Sequence, residues 1–183
     1  NILNEAGEES LYPRSFITTL AVSKEYFGPQ QIFGYAGDSV SFDGLDIVRV
    51  IDTDELNELK NIHDGDPFVT PETLIDAVCW FMCGVACMRL WEYKKPISML
   101  IHTSQKTAHH SAVAQVVSDW IRNTPKKDII KRAEIVWHEE TSRFSFENFR
   151  TQYPSYDRPD EAINKYPDFV DVKEQLEILI DGG

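Results

Sequence analysis

The 183-residue chain is 42% hydrophobic and 11% aromatic, enough for one ordinary folded core and too apolar for a disordered segment at this charge. Its formal net charge of −12 at pH 7 argues against a free-standing nucleic-acid binder. No apolar run approaches the roughly 20 residues of a membrane span, and the polar, acidic stretch Asn1–Ser10 does not read as a signal peptide. The expectation is therefore a cytoplasmic protein with no membrane partner. The absence of an initial Met, and an end at Gly182-Gly183 straight after an apolar helical pattern, lead us to expect both ends to be cuts inside a longer polypeptide.

Ser15–Val22 is rich in β-formers and predicts a strand. A glycine-punctuated stretch with Tyr26, Phe27, Phe33 and Tyr35 follows, read as a long structured loop or short strands over 26–44. Leu45–Ile51 alternates as a strand, and Asp52–Asn61 predicts a short acidic helix. Thr70-Pro71-Glu72 is a strong helix start, with Thr70 as N-cap, Pro71 in the first turn and Glu72 on the positive end of the dipole. The helix is expected to run to about Tyr93, with Leu74, Val78, Phe81, Val85 and Met88 on one face and apolar residues on the others, the mark of a buried central helix.

Pro96 ends that pattern, and Ile97–Thr103 (ISMLIHT) reads as a strand covered on both faces. Ala108–Ile121 predicts a helix, with Thr107 its candidate cap and Asn123-Thr124-Pro125 its stop. Lys126–Arg132 is basic and could continue as helix, and Glu134–His138 (EIVWH) reads as another strand. Residues 141–167 look irregular, and Asp168–Ile180 forms a final helix. Strand, helix, basic segment and strand over 97–138 make a βαβ-like unit with a parallel sheet and right-handed crossover, so the predicted class is α/β with a helical component.

Charge is unevenly distributed: residues 1–88 hold 15 acids and 4 bases, whereas residues 89–132 hold 9 bases and 3 acids. Such a basic block is either a solvated helical face or a surface turned toward phosphates. Within it Lys106, Lys126, Lys127, Lys131 and Arg132 are the nucleic-acid-binding candidates, because they flank the helix after the central strand.

His102 ends that strand and His109-His110 open the next helix. Strand ends facing a helix N-terminus form the binding edge of α/β sheets, which makes His102, Ser104, His109 and His110 a candidate polar site. A metal there would need His102, one helix histidine and a carboxylate. Neighbouring His109 and His110 point about 100° apart, so only one could join.

Cys79, Cys83 and Cys87 recur every fourth residue on one helix. That spacing suits core filling better than zinc, whose ligands come from turns at tighter spacing, and it favours a reducing compartment over disulfides. No metal ligand set is assigned. Glu92-Tyr93-Lys94 matches half of a PD-(D/E)xK nuclease signature, with Asp76 upstream. Both carboxylates fall on the predicted helix, however, about 24 Å apart at 1.5 Å per residue, too far to share an ion. There is no G-x-x-x-x-G-K-S/T, G-x-G-x-x-G or G-x-S-x-G.

Leu11-Tyr12-Pro13-Arg14-Ser15-Phe16-Ile17 through Tyr26-Phe27-Gly28, then Ser98-Met99-Leu100-Ile101-His102-Thr103-Ser104, resemble the Z-one domain. The family shows a Pro-containing strand, an aromatic-aromatic-Gly loop, a long helix and a strand close to S-M-L-I-H, and the resemblance spans most of residues 11–140. It implies an internal region of bacterial superfamily-two helicase-like ATPases that carry an endonuclease label. Residues 1–95 would be an α+β insertion ending in the buried helix, and residues 96–183 the start of a second RecA-like lobe. Catalytic residues remain unassigned. No cofactor is expected in these residues; ATP and Mg are implied for the full-length relatives. The implied partner is DNA, contacted through the full-length protein, with a role in defence against foreign DNA. Two other readings stand beside it: a protein-interaction module using the 26–44 loop, and a metal-dependent endonuclease resting on the family label and the histidines.

Overall fold

The computed structural model describes residues 26–36, 41–62, 70–103, 107–153 and 165–182. In chain order these form helix α1 (Pro29–Phe33), strands β1 (Gly34–Ala36) and β2 (Ser41–Asp43), and helices α2 (Thr53–Lys60), α3 (Glu72–Leu90), α4 (Thr107–Asn123), α5 (Lys126–Arg143), α6 (Phe146–Gln152) and α7 (Phe169–Asp181). β1 and β2 pair antiparallel, with Tyr35 opposite Phe42. A Cβ on Gly44 would run into the backbone of residues 32–34, so glycine is required where the hairpin closes on α1.

The fold is mostly helical, which corrects the predicted α/β class: among the described residues there is a two-stranded antiparallel hairpin and no parallel sheet. Glu134–His138 lies in the middle of α5 rather than in a strand. The reason is visible over a longer window. Ile129, Ala133, Val136 and Trp137 are the buried residues of α5, and that spacing is helical. Ile97–Thr103 belongs to no strand. It keeps the burial alternation of one, with Ile97, Met99, Ile101 and Thr103 half-buried and Ser98, Leu100 and His102 exposed. Leu45–Ile51 is likewise unpaired; Leu45 is buried, and Arg49 fastens the segment to α5 through Glu140 at 2.8 Å and to Asp46 at 2.9 Å. The strand expected at 15–22 lies outside the described residues. Of the segment read as irregular, 141–143 complete α5 and 146–152 form α6.

α3 is the central helix. Its length and composition would suffice to cross a membrane, contrary to the apolar-run reading, but it is flanked here by α5 and α7. Its small residues Cys79, Cys83, Ala86 and Cys87 face Ala133, Val136 and Trp137 of α5 and Phe169, Val172 and Leu176 of α7 in one core cluster. Small side chains let the helices approach closely, and Cys83 Sγ sits 3.7 Å from the Ala133 carbonyl oxygen. A second cluster joins Leu59 of α2, Leu74 and Val78 of α3 and Val113 of α4, with Met99 and Ile101 packed on it.

The start of α3 is capped from outside. Pro71, not Thr70, occupies the N-cap, and Thr70 Oγ1 is buried without a hydrogen-bond partner among the described residues. The Glu55 carboxylate of α2 instead accepts from the Thr73 backbone N–H at 3.1 Å and from the Thr73 hydroxyl, setting a negative charge on the positive helix end. The helix stops at Leu90, short of Pro96, because Glu92 adopts a left-handed conformation (φ 61°) and Tyr93 N–H turns back to the Met88 carbonyl at 2.9 Å. Arg89 then holds the exit, donating to the carbonyls of Tyr93 and Lys95.

Gly84 lies within α3, where glycine costs helix stability, and a Cβ added there would meet no atom within 4 Å. Gly84→Ala is expected to stabilise the fold by up to about 1 kcal/mol, read as a higher urea midpoint at unchanged slope.

Candidate functional site

The four residues proposed as a polar site part company in the structure. His109 turns inward and is buried. Its Nε2 lies 2.9 Å from the Leu59 carbonyl oxygen, and its Nδ1 lies 3.0 Å from Thr103 Oγ1. A carbonyl can only accept, so Nε2 carries the hydrogen and, in the neutral ring, Nδ1 accepts from the Thr103 hydroxyl. His109 thus joins the end of α2, the 97–103 segment and the first turn of α4; its role is structural bracing. His110, the next residue, turns toward His102, with ring centroids 5.5 Å apart and planes tilted 55°. The roughly 100° between successive helical residues separates the two roles. Ser104 lies outside the described residues.

The basic block also divides. Arg132 is bound at 2.5 Å to Asp76 and at 3.1 Å to Glu72, joining α5 to α3. These acids and their hydrogen bonds raise its pKa further. Lys126 pairs with Asp181 of α7 at 2.7 Å. Lys127 and Lys131, one turn apart on α5, are exposed and make no ion pair among the described residues. Lys106 lies outside the described residues. Carboxylates distant in sequence therefore decide which basic residues stay available, and nothing in the local sequence signals that choice.

Sequence reasoning missed a cleft of about 700 Å³. Phe81 and Val85 of α3, Ile121 of α4 and Leu179 of α7 form its apolar floor, with Arg122 and the Lys126–Asp181 pair at its rim. Of the apolar face expected at Leu74, Val78, Phe81, Val85 and Met88, Leu74 and Val78 are core and Phe81 and Val85 line this cleft, while the cysteines fill the core as their spacing suggested.

The nuclease half-motif stays apart. Asp76 on α3 is engaged by Arg132, and Glu92 lies just past the helix end rather than on it. Among the described residues no group of three or more His, Cys, Asp or Glu is placed to hold a metal ion. The cysteine thiols are buried, and desolvation pushes each up to about 12, which leaves them protonated and unreactive.

No curated protein and no solved structure matches the chain. Residues 73–182, running from the first turn of α3 through the end of α7, match the Z1 domain. That match takes in the central helix, both exposed α5 lysines, the histidine pair and the cleft, and it covers more than half of the sequence: the chain belongs to the Z1 domain family.

Proposed function

We propose that this Z1 domain is a non-catalytic, lobe-linking and DNA-facing part of a larger ATP-dependent, helicase-like DNA-processing protein. ATP and Mg do not fit the residues present: no glycine-rich lysine loop exists to cradle β- and γ-phosphates, so nucleotide chemistry would belong to other parts of that protein. The observation that carries the reading is the exposed pair Lys127 and Lys131 on α5, in a block of net positive charge within an acidic chain. A phosphate backbone is attracted to such a face, while the acidic remainder limits binding by the domain alone.

Reversing Lys127 and Lys131 to Glu in the complete gene product is expected to weaken duplex binding and to flatten the salt dependence by roughly 1.8 in log–log slope, about 0.9 for each phosphate no longer neutralised. Fluorescence anisotropy across a salt series measures both. Unchanged affinity and slope, with folding intact, would make the block a solvated face.

A second reading, protein recognition, is favoured by Tyr26, Phe33 and Tyr35, which stand exposed around α1 and β1 in the loop region singled out in the sequence. Retained DNA binding in the lysine variants, together with loss of a copurifying protein on Phe33→Ser, would favour it.

A further inference from the structure

We propose that the cleft between α3, α4 and α7 binds a small amphipathic anion, a free carboxylate carrying an alkyl body. Its volume of about 700 Å³ falls within the roughly 300–1,000 Å³ of small-molecule sites. Phe81, Val85, Ile97, Ile121 and Leu179 line it and are each only half-buried, so their apolar surface still meets water. An alkyl chain laid on that surface releases the water and stabilises the complex in proportion to the area covered.

The polar groups of the lining select the head. Arg122 is exposed and makes no ion pair among the described residues. Ser118 and Thr124 add side-chain hydroxyls that make no hydrogen bond to another described residue. Lys126 and Asp181, the other charged groups of the lining, neutralise each other at 2.7 Å. An apolar floor thus ends at the unmatched positive charge of Arg122, with hydroxyl donors beside it. A guanidinium holds a carboxylate through two parallel N–H···O bonds. An alkyl ammonium would meet Arg122 with like charge, and an alkane would leave it unmatched.

The net charge of −12 opposes an anion at long range, but physiological salt screens it beyond about 10 Å, whereas Arg122 acts at contact. Neither Lys127 nor Lys131 lines the cleft, so a ligand there leaves the DNA-facing lysines uncovered.

The test is isothermal titration of the complete gene product with hexanoate, octanoate and decanoate. One molecule per chain is expected, with affinity rising about fourfold for each added methylene that reaches the floor. Octanol, which keeps the chain and lacks the charge, should bind about tenfold more weakly than octanoate, the scale of a hydrogen bond to a charged group. Arg122→Gln should lower octanoate affinity to the level of octanol. Val85→Phe, which fills the floor and leaves Arg122 in place, should weaken decanoate more than hexanoate. Lys173→Gln, which removes an exposed cation of α7 outside the lining, should change nothing. Thermal melts followed by circular dichroism establish that the variants are folded. The proposal is overturned if no carboxylate of the series binds saturably, or if Arg122→Gln and Val85→Phe both bind as the parent does. It also falls if only phosphatidylglycerol vesicles bind, which would make Arg122 a membrane contact.

Discussion

Trp137→Ala is expected to cost about 3–5 kcal/mol, the range for truncating a buried large aromatic. Trp137 is 3% exposed, lies 5.8 Å from the Trp80 ring and 5.6 Å from the Tyr166 ring, and belongs to the cluster that joins α3, α5 and α7. Against a domain stability of about 5–15 kcal/mol, that loss lowers the melting temperature by roughly 6–20 °C for a chain of this size. Ile135→Ala, two residues earlier on the 46% exposed side, should change stability by no more than about 0.5 kcal/mol. The contrast tests the backbone as well as the packing. Residues 135 and 137 share a face in a strand but lie about 200° apart on a helix. Equal and large losses at both positions in urea unfolding would refute the helical α5.

That pair also shows why the sheet expected from sequence is not there. Five residues, Glu134–His138, carry strand-like propensity, and a short apolar run cannot by itself separate strand from buried helix. Extending the window to Ile129 and Ala133 reveals the helical period. Elements with their own punctuation were legible. Asp52 caps α2 by accepting from Asp54 N–H at 2.8 Å, Pro125 separates α4 from α5, and Asp168 precedes α7. Ile97–Thr103 was expected as a strand covered on both faces; its burial alternates instead, with Leu100 87% exposed, and a strand also needs a hydrogen-bonded neighbour, which no segment announces by itself.

The candidate site was legible to the same depth. Successive helix positions imply that His109 and His110 diverge, so the sequence contains the statement that only one can face His102. Which one does so depends on the Leu59 carbonyl, 50 residues away in sequence. Charge behaves similarly. The basic block is plain in the composition, but Arg132 and Lys126 are engaged by Asp76 and Asp181, 56 and 55 residues distant. A charge census locates the block; only the packing of α3 and α7 against α5 takes Arg132 and Lys126 into ion pairs and leaves Lys127 and Lys131 exposed on α5.

The protein is expected to lose stability in alkali because of its three core thiols. Cys79 and Cys83 are 0% exposed and Cys87 is 4% exposed, and desolvation is the leading cause that pushes each up to about 12. For Cys79 the nearby Asp76 adds to it, and for Cys83 the other two cysteines do. An unfolded thiol ionises near 8.5. The folded pKa is thus the higher one, so the folded state retains protons that the unfolded state has released. The stabilisation is fully present below about pH 8.5 and is lost as pH rises from there toward 12, at about 1.4 kcal/mol per pH unit for each thiol. Urea midpoints should therefore hold steady near neutrality and fall steeply above about pH 9. In Cys79→Ala/Cys83→Ala the fall should be shallower, although the starting stability is lower. A thiol-reactive disulfide reagent at pH 8 should find no accessible thiol in the native chain and all three in strong urea. Rapid stoichiometric reaction of the native protein would mean that the α3–α5–α7 core is not closed over its cysteines.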